Sequence, residues 1–215
     1  MNVIAVNGSP RKKWNTATLL KNALEGAESH GAETELVNLY DLNFKGCTSC
    51  FSCKTKGSKS YGKCAMDDEL TPVLERIEKA NAVILGSPIY LGTVTGEMRS
   101  FMERFMFQYN VYTYPLQSLF PKKINIGSIY TMGATEAQMR DHGFDQPIIF
   151  TESILKRLFG NSKTLISFDT YQFKDYSKVV SDLFDPEHKA KVRKEVFPED
   201  CKKAFEMGAE FAQGE

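Results

Sequence analysis

Five times along the chain a strand-like apolar run gives way to a helical pattern, and this alternation constrains the fold more than any other feature. The runs fall at residues 3–6, 33–39, 82–86, 124–130 and 164–170. Ala82-Val83-Ile84-Leu85-Gly86 holds no polar residue, as strands covered on both faces do. Glu33 to Leu39 alternates instead, with Leu36 and Val37 as its core, which suits a strand at or near a sheet edge. The helical patterns carry Leu19, Leu20, Ala23 and Leu24, then Leu70, Val73, Leu74 and Ile77, then Met98, Phe101, Met102 and Phe105, each set on one helical face. A fourth helix is predicted from about Gln146 to Phe159, and a last one places Cys201, Ala204, Phe205 and Gly208 on one face. Strands joined by helices call for a parallel sheet with right-handed crossovers and helices on both faces. The predicted fold class is α/β, as one domain over residues 1–215. It has a cysteine-bearing insertion at about 44–66 and a charged, weakly periodic excursion at about 171–197.

Three Gly-bearing loops fall at the carboxyl ends of predicted strands. The first follows Val3-Ile4-Ala5-Val6 and reads Asn7-Gly8-Ser9-Pro10-Arg11-Lys12-Lys13-Trp14-Asn15-Thr16. Gly8 and Pro10 break the strand, and Asn15 and Thr16 are helix N-cap types. Such a loop gathers hydroxyls, an arginine fork and unpaired first-turn amides about one point, which suits a phosphate. It contains neither G-x-G-x-x-G nor G-x-x-x-x-G-K-[ST], which argues against a dinucleotide fold and a phosphate-hydrolysing P-loop. Taken alone, the loop is explained equally well as a solvated turn whose hydroxyls cap a helix. The other two loops, Ser87-Pro88-Ile89-Tyr90-Leu91-Gly92 and Thr131-Met132-Gly133-Ala134-Thr135, favour the phosphate reading, because open α/β sheets bind ligands at this rim.

Lysine and arginine total 27, as do aspartate and glutamate, so net charge offers nothing to nucleic acid or to a membrane surface. No apolar stretch approaches the about 20 residues that span a bilayer, and no basic segment leads into a long apolar run at the N-terminus. The expectation is a cytoplasmic protein. There, four cysteines between Cys47 and Cys64 suggest metal or redox chemistry before disulfides. Cys201 reads as a small buried apolar residue. Tyr109, Tyr112 and Tyr114 lie in an aromatic stretch that fits an oligomer contact, a substrate wall or a cover for the sheet end.

Asn7-Gly8-Ser9-Pro10-Arg11 with Asn15-Thr16, then Gly86-Ser87-Pro88-Ile89-Tyr90, then Gly96-Glu97-Met98-Arg99-Ser100-Phe101-Met102-Glu103-Arg104, resembles the flavodoxin-like NAD(P)H-dependent FMN reductase family over roughly residues 1 to 170. The cysteine loop, ending in Cys64 and followed by Asp67-Asp68, is similar to its iron–sulfur flavoprotein branch. The resemblance implies a three-layer sandwich, a five-stranded sheet in the order 2-1-3-4-5, and a noncovalent FMN. It implies a phosphate held by Ser9, Arg11, Asn15, Thr16 and the amide of Ala17. The flavin ring would lie against Pro88, Ile89, Tyr90, Leu91 and Gly92, with Thr131, Met132 and Gly133 at its polar edge. The implied function is electron transfer from NAD(P)H, or from reduced ferredoxin if a cluster is present, through FMN to a small acceptor such as a quinone. No side chain is expected to act as acid or base; His142, near a site loop, reads as a surface histidine. A homodimer or homotetramer is implied, since the family pattern completes the flavin pocket across subunits. A non-enzymatic flavodoxin-like carrier is the alternative, disfavoured by the balanced charge, and a relative that has lost its cofactor is a third reading.

Cys47-x2-Cys50-x2-Cys53 has the spacing that places three thiolates around one cubane, with Cys64 following after ten residues. The cluster-bearing relatives space the last cysteine more closely. Three readings stay open: a [4Fe–4S] cluster relaying single electrons to the flavin, a structural all-cysteine zinc site for which the spacing is cramped, and free or redox-paired thiols.

Overall fold

The computed structural model describes residues 1–214. The chain runs β1 (Asn2–Asn7), α1 (Asn15–Glu28), β2 (Glu33–Asn38), α2 (Thr71–Lys79), β3 (Ala82–Tyr90), β4 (Thr93–Val94), α3 (Gly96–Phe107), β5 (Asn125–Thr131), α4 (Glu136–Asp141), α5 (Asp145–Phe159), β6 (Ser162–Ser167), α6 (Pro186–Glu195) and α7 (Phe197–Gln213). Five strands pair in parallel in the order β2-β1-β3-β5-β6, the expected topology, and β4 is a short antiparallel addition to β3.

Side chains alternate across the sheet with a period of two, and each face has its own core. Ile4, Val6, Val83 and Leu85 point to the layer of α2, α3 and α5, where Phe105 stacks on Phe159 at 4.4 Å between ring centroids. Val3, Ala5 and Ile84 point to α1 and α7. These two helices press together backbone to backbone. A Cβ on Gly208 would stand 1.7 Å from the Ala23 carbonyl oxygen, and one on Gly26 would stand 2.0 Å from that of Phe205.

Local boundaries depart from the sequence expectation where neighbouring strands decide them. The predicted loop at residues 87–92 is mostly strand: β3 continues through Pro88, opposite Thr131 of β5, to Tyr90. It then turns back into β4 over Leu91 (φ 50°) and Gly92 (φ 83°). A two-residue hairpin turn with positive φ at both positions matches the strand twist, and glycine meets that requirement far more easily than leucine. The last strand covers 162–167 rather than 164–170, and α4 and α6 were not expected. α1 is capped by neither Asn15 nor Thr16: its N-cap is Trp14, with no side-chain hydrogen bond. No helix among the described residues is long and apolar enough to cross a membrane.

Candidate functional site

A cleft of about 210 Å³ opens at the carboxyl ends of β1, β3 and β5. Its first wall is the β1–α1 loop, fastened by its own polar groups. Asn7 Oδ1 accepts from the Ser9 amide at 3.0 Å, Ser9 Oγ accepts from the Arg11 amide at 3.2 Å, and the Gly8 amide donates to the Gly86 carbonyl at 2.8 Å. Gly8 is required here, because a Cβ would meet Met98 at 2.7 Å. Thr95, buried between the loops, joins three elements. Its hydroxyl donates to the Gly8 carbonyl at 2.7 Å and caps α3 at the Met98 amide, while its own amide donates to Ser87 Oγ. Thr95 carried no motif in the sequence; the helix-capping pattern was its only local signal.

Ser9, Arg11, Asn15 and Thr16 all line the cleft, as do Pro88, Ile89 and Tyr90 from β3 and Thr131, Met132 and Gly133 from the end of β5. Thr16 Oγ1 and Thr131 Oγ1 lie 2.8 Å apart and tie the first wall to the third. Because no side chain caps α1, its first-turn amides and dipole are left for a ligand. Three of the expected residues do not line the cleft. The Ala17 side chain is fully buried, so its amide alone remains available. Leu91 is fully exposed at the hairpin tip. Gly92 lines a neighbouring cavity and abuts Phe144. The extension of β3 carries Leu91 and Gly92 past the rim. His142 is exposed, its Nδ1 2.7 Å from the Gln138 carbonyl.

A fourth wall was not expected. Residues 170–173, directly after β6, form a strap across the cleft beside Trp14. The Tyr171 carbonyl accepts from Trp14 Nε1 at 2.9 Å and from Asn15 Nδ2 at 2.8 Å, and the Gln172 carbonyl accepts from Arg11 Nη1 at 2.7 Å. Arg11 also stacks 4.0 Å over the Trp14 ring. The chain beyond the strap is latched by Lys189, which is 2% exposed, paired with Asp169 and donating to the Gly133 carbonyl at 2.7 Å. A cation, hydroxyls and free helix amides at one end, and Pro88, Ile89 and Tyr90 at the other, suit an elongated ligand with an anionic tail and a planar ring.

The four cysteines of the 47–64 loop line one smaller cavity, of about 20 Å³, together with Arg104, Phe107 and Gln108. No group of three or more such residues is gathered tightly enough to hold a metal ion among the described residues, and the thiols are free. Cys47, Cys50, Cys53 and Cys64, the expected ligands, thus ring one cavity without closing on a single ion. Ser49 (φ 55°) and Phe51 (φ 57°) are left-handed, which folds the loop tightly about Cys50. Burial pushes the Cys53 thiol up, while hydrogen bonds with Ser52 hold the exposed Cys50 thiol down. The loop is fastened to α3. Lys54 Nζ donates to the carbonyls of Phe107 and Gln108 at the helix end, and Arg104 Nη1 pairs with Asp68 at 2.5 Å and reaches the Lys45 carbonyl. Burial opposes the charge on Asp68, but the Arg104 hydrogen bond and charge outweigh it and hold the carboxyl below its ordinary range. Of the three tyrosines, Tyr109 is core, against Phe105, Phe120 and Phe159. Tyr112 and Tyr114 are exposed, and none lines the larger cleft.

The family model for NADPH-dependent FMN reductases matches residues 1–141, ending before the strap. An iron-sulfur flavoprotein of Methanocaldococcus jannaschii is 33% identical over 135 residues, 63% of either chain. One from Archaeoglobus fulgidus is 36% identical over 104 residues, 48% of either chain. The chain therefore spans about half to just under two thirds of the curated relatives it matches. Among solved structures, an NAD(P)H:quinone oxidoreductase from Methanothermobacter marburgensis superposes with a TM-score of 0.70 at 16% identity, covering 97% of this chain and 98% of that one. An FMN-dependent NADH-azoreductase from Bacillus anthracis gives 0.67 at 14% identity, covering 99% and 100%. At these identities the likeness shows the fold.

Proposed function

This chain belongs to the NADPH-dependent FMN reductase family, and on that footing we propose that it is an FMN-dependent oxidoreductase passing electrons from NAD(P)H to a small acceptor of the quinone type. The observation that carries the reading is the cleft: an arginine, two buried hydroxyls and an uncapped helix start at one end, an apolar and aromatic wall at the other. That donor set fits a flavin mononucleotide. Arg11, Ser9, Asn15, Thr16 and the first amides of α1 would hold the phosphate. Arg11 has five N–H donors, so its bond to Gln172 leaves others for an anion. Pro88, Ile89 and Tyr90 would exclude water from one face of the ring, and the backbone about Met132 and Gly133 would meet its polar edge. FMN supplies the redox chemistry when bound; the chain's residues bind, orient and shield, and none need move a proton.

The four-cysteine cavity supports a second cofactor. A cubane holds its cysteines farther apart than a single zinc ion does, so four thiols ringed around a cavity, with a buried arginine among them, suit a [4Fe–4S] cluster better than zinc. Cys47, Cys50, Cys53 and Cys64 would hold it. It would supply single-electron transfer and admit reduced ferredoxin as a donor. Homodimeric or homotetrameric assembly belongs to the same reading.

Titration with FMN, followed by anaerobic steady-state oxidation of NADH and NADPH with a benzoquinone, tests the proposal. Stoichiometric FMN binding with sustained turnover supports it. A chain that binds FMN and does not turn over is an electron carrier; one that binds none sinks the cofactor assignment.

A further inference from the structure

The cysteine cavity is lined by more than thiols. Arg104 and Gln108 stand four residues apart at the end of α3 and both face it. They are among the most enclosed polar side chains of the molecule, 1% and 4% exposed. Each holds one nitrogen with no partner: Arg104 Nε and Gln108 Nε2. The rest of each side chain is engaged. Arg104 is fixed by Asp68 and the Lys45 carbonyl, with its guanidinium beside the Cys64 thiol, and Gln108 Oε1 accepts from the Cys64 amide at 2.9 Å. Orphaned buried donors are rare, and each one calls for an explanation. Two of them, on side chains that line one cavity ringed by four sulfurs, suit a negatively charged group bound there.

Resting on the reading that this cavity takes a [4Fe–4S] cluster, we propose that Arg104 and Gln108 donate N–H···S hydrogen bonds to it and set its reduction potential. Neither residue binds iron. The couple gains one electron and no proton, and the added charge spreads over the sulfurs. A fixed N–H donor, or a buried guanidinium, stabilises the more negative state and moves the potential upward. This gives α3 a task beyond packing: its inner face supplies the core, and its last turn supplies the field at the cysteine loop.

The test is a dithionite titration followed by electron paramagnetic resonance, on full-length protein reconstituted anaerobically with iron and sulfide. Gln108→Met removes one donor without adding charge; Arg104→Lys keeps the charge and removes the Nε donor. Each midpoint is expected to fall by about 59 mV, tenfold in a one-electron equilibrium constant, with iron content and FMN absorbance as in the unaltered protein. Unchanged midpoints at full iron content overturn the inference and leave the cluster reading standing. An unaltered protein that takes up no iron overturns both. Should Arg104→Lys fail to fold, Gln108→Met decides.

Discussion

The cleft at the sheet rim and the cavity under the cysteine loop are built on opposite plans. The cleft is assembled from four separate segments, each brought to the rim by the winding of a parallel sheet, and the segments hold one another through bonds such as Thr16–Thr131 and Arg11–Gln172. The cysteine cavity hangs on one helix. Lys54, Cys64 and Asp68 all fasten to the last turns of α3, and the loop between them has no strand or regular helix of its own. A site made by topology inherits the stability of the core. A site made by pinning a loop depends on a few polar contacts, and each of these is a point of failure.

The largest expected effects come from the buried ion pair at each site. Asp68→Ala leaves Arg104 buried and unpaired, which should cost about 3–5 kcal/mol in denaturant melts and release the cysteine loop to proteolysis. Lys189→Met leaves Asp169 with His188 as its one remaining ion-pair partner and should cost less, about 2–3 kcal/mol, with the strap loosened and flavin affinity lowered. If Asp68→Ala weakens FMN binding as much as Lys189→Met does, the two regions are not independent and the contrast fails. Next comes Arg11→Ala with Thr16→Ala. A hydrogen bond to a charged group is worth about 1.5–3 kcal/mol, so FMN affinity by fluorescence quenching should fall about a hundredfold, and the apoprotein should lose about 1–3 kcal/mol because the buried Thr131 hydroxyl is left without its partner. Lys54→Met should cost about 1 kcal/mol, and faster cleavage within 54–63 should report it. The smallest effect is in acid. The carboxyl of Asp68 lies below its unfolded value of about 3.9, so its contribution is complete above that pH and fades as pH falls through the lower folded value. Melts of Asp68→Asn should lack that component of the acid loss.

The rim site was largely legible before any coordinates, because each of its loops follows a strand whose hydrophobic pattern is local. Ser9, Arg11, Asn15, Thr16, Pro88, Ile89, Tyr90, Thr131, Met132 and Gly133 do meet in one cleft. The strap at 170–173 was not legible, since it contributes mainly backbone carbonyls, and no side chain advertises a carbonyl. Leu91 and Gly92 were expected in the wall, but the end of β3 is set by its pairing with β5 as far as Pro88 and with β4 beyond it, which the residues of β3 alone do not reveal. At the cysteine loop the ligand types could be read and their surroundings could not. Arg104 looks like one more charged helix residue until α3 is seen to bury it against Asp68.

The sequence by itself determined the alternation of strand and helix, the sheet it winds into and the rim where ligands gather, because periodicity and chain-breaking residues act over a few positions. Only the tertiary structure decided which polar groups are left without partners, where strands stop, and how Arg11, Asn15, Arg104 and Lys189 are held. Burial and hydrogen-bond satisfaction are properties of what lies across the fold, and in this chain those partners come from 20 positions away, for Lys189 and Asp169, to 178, for Asn15 and Arg193.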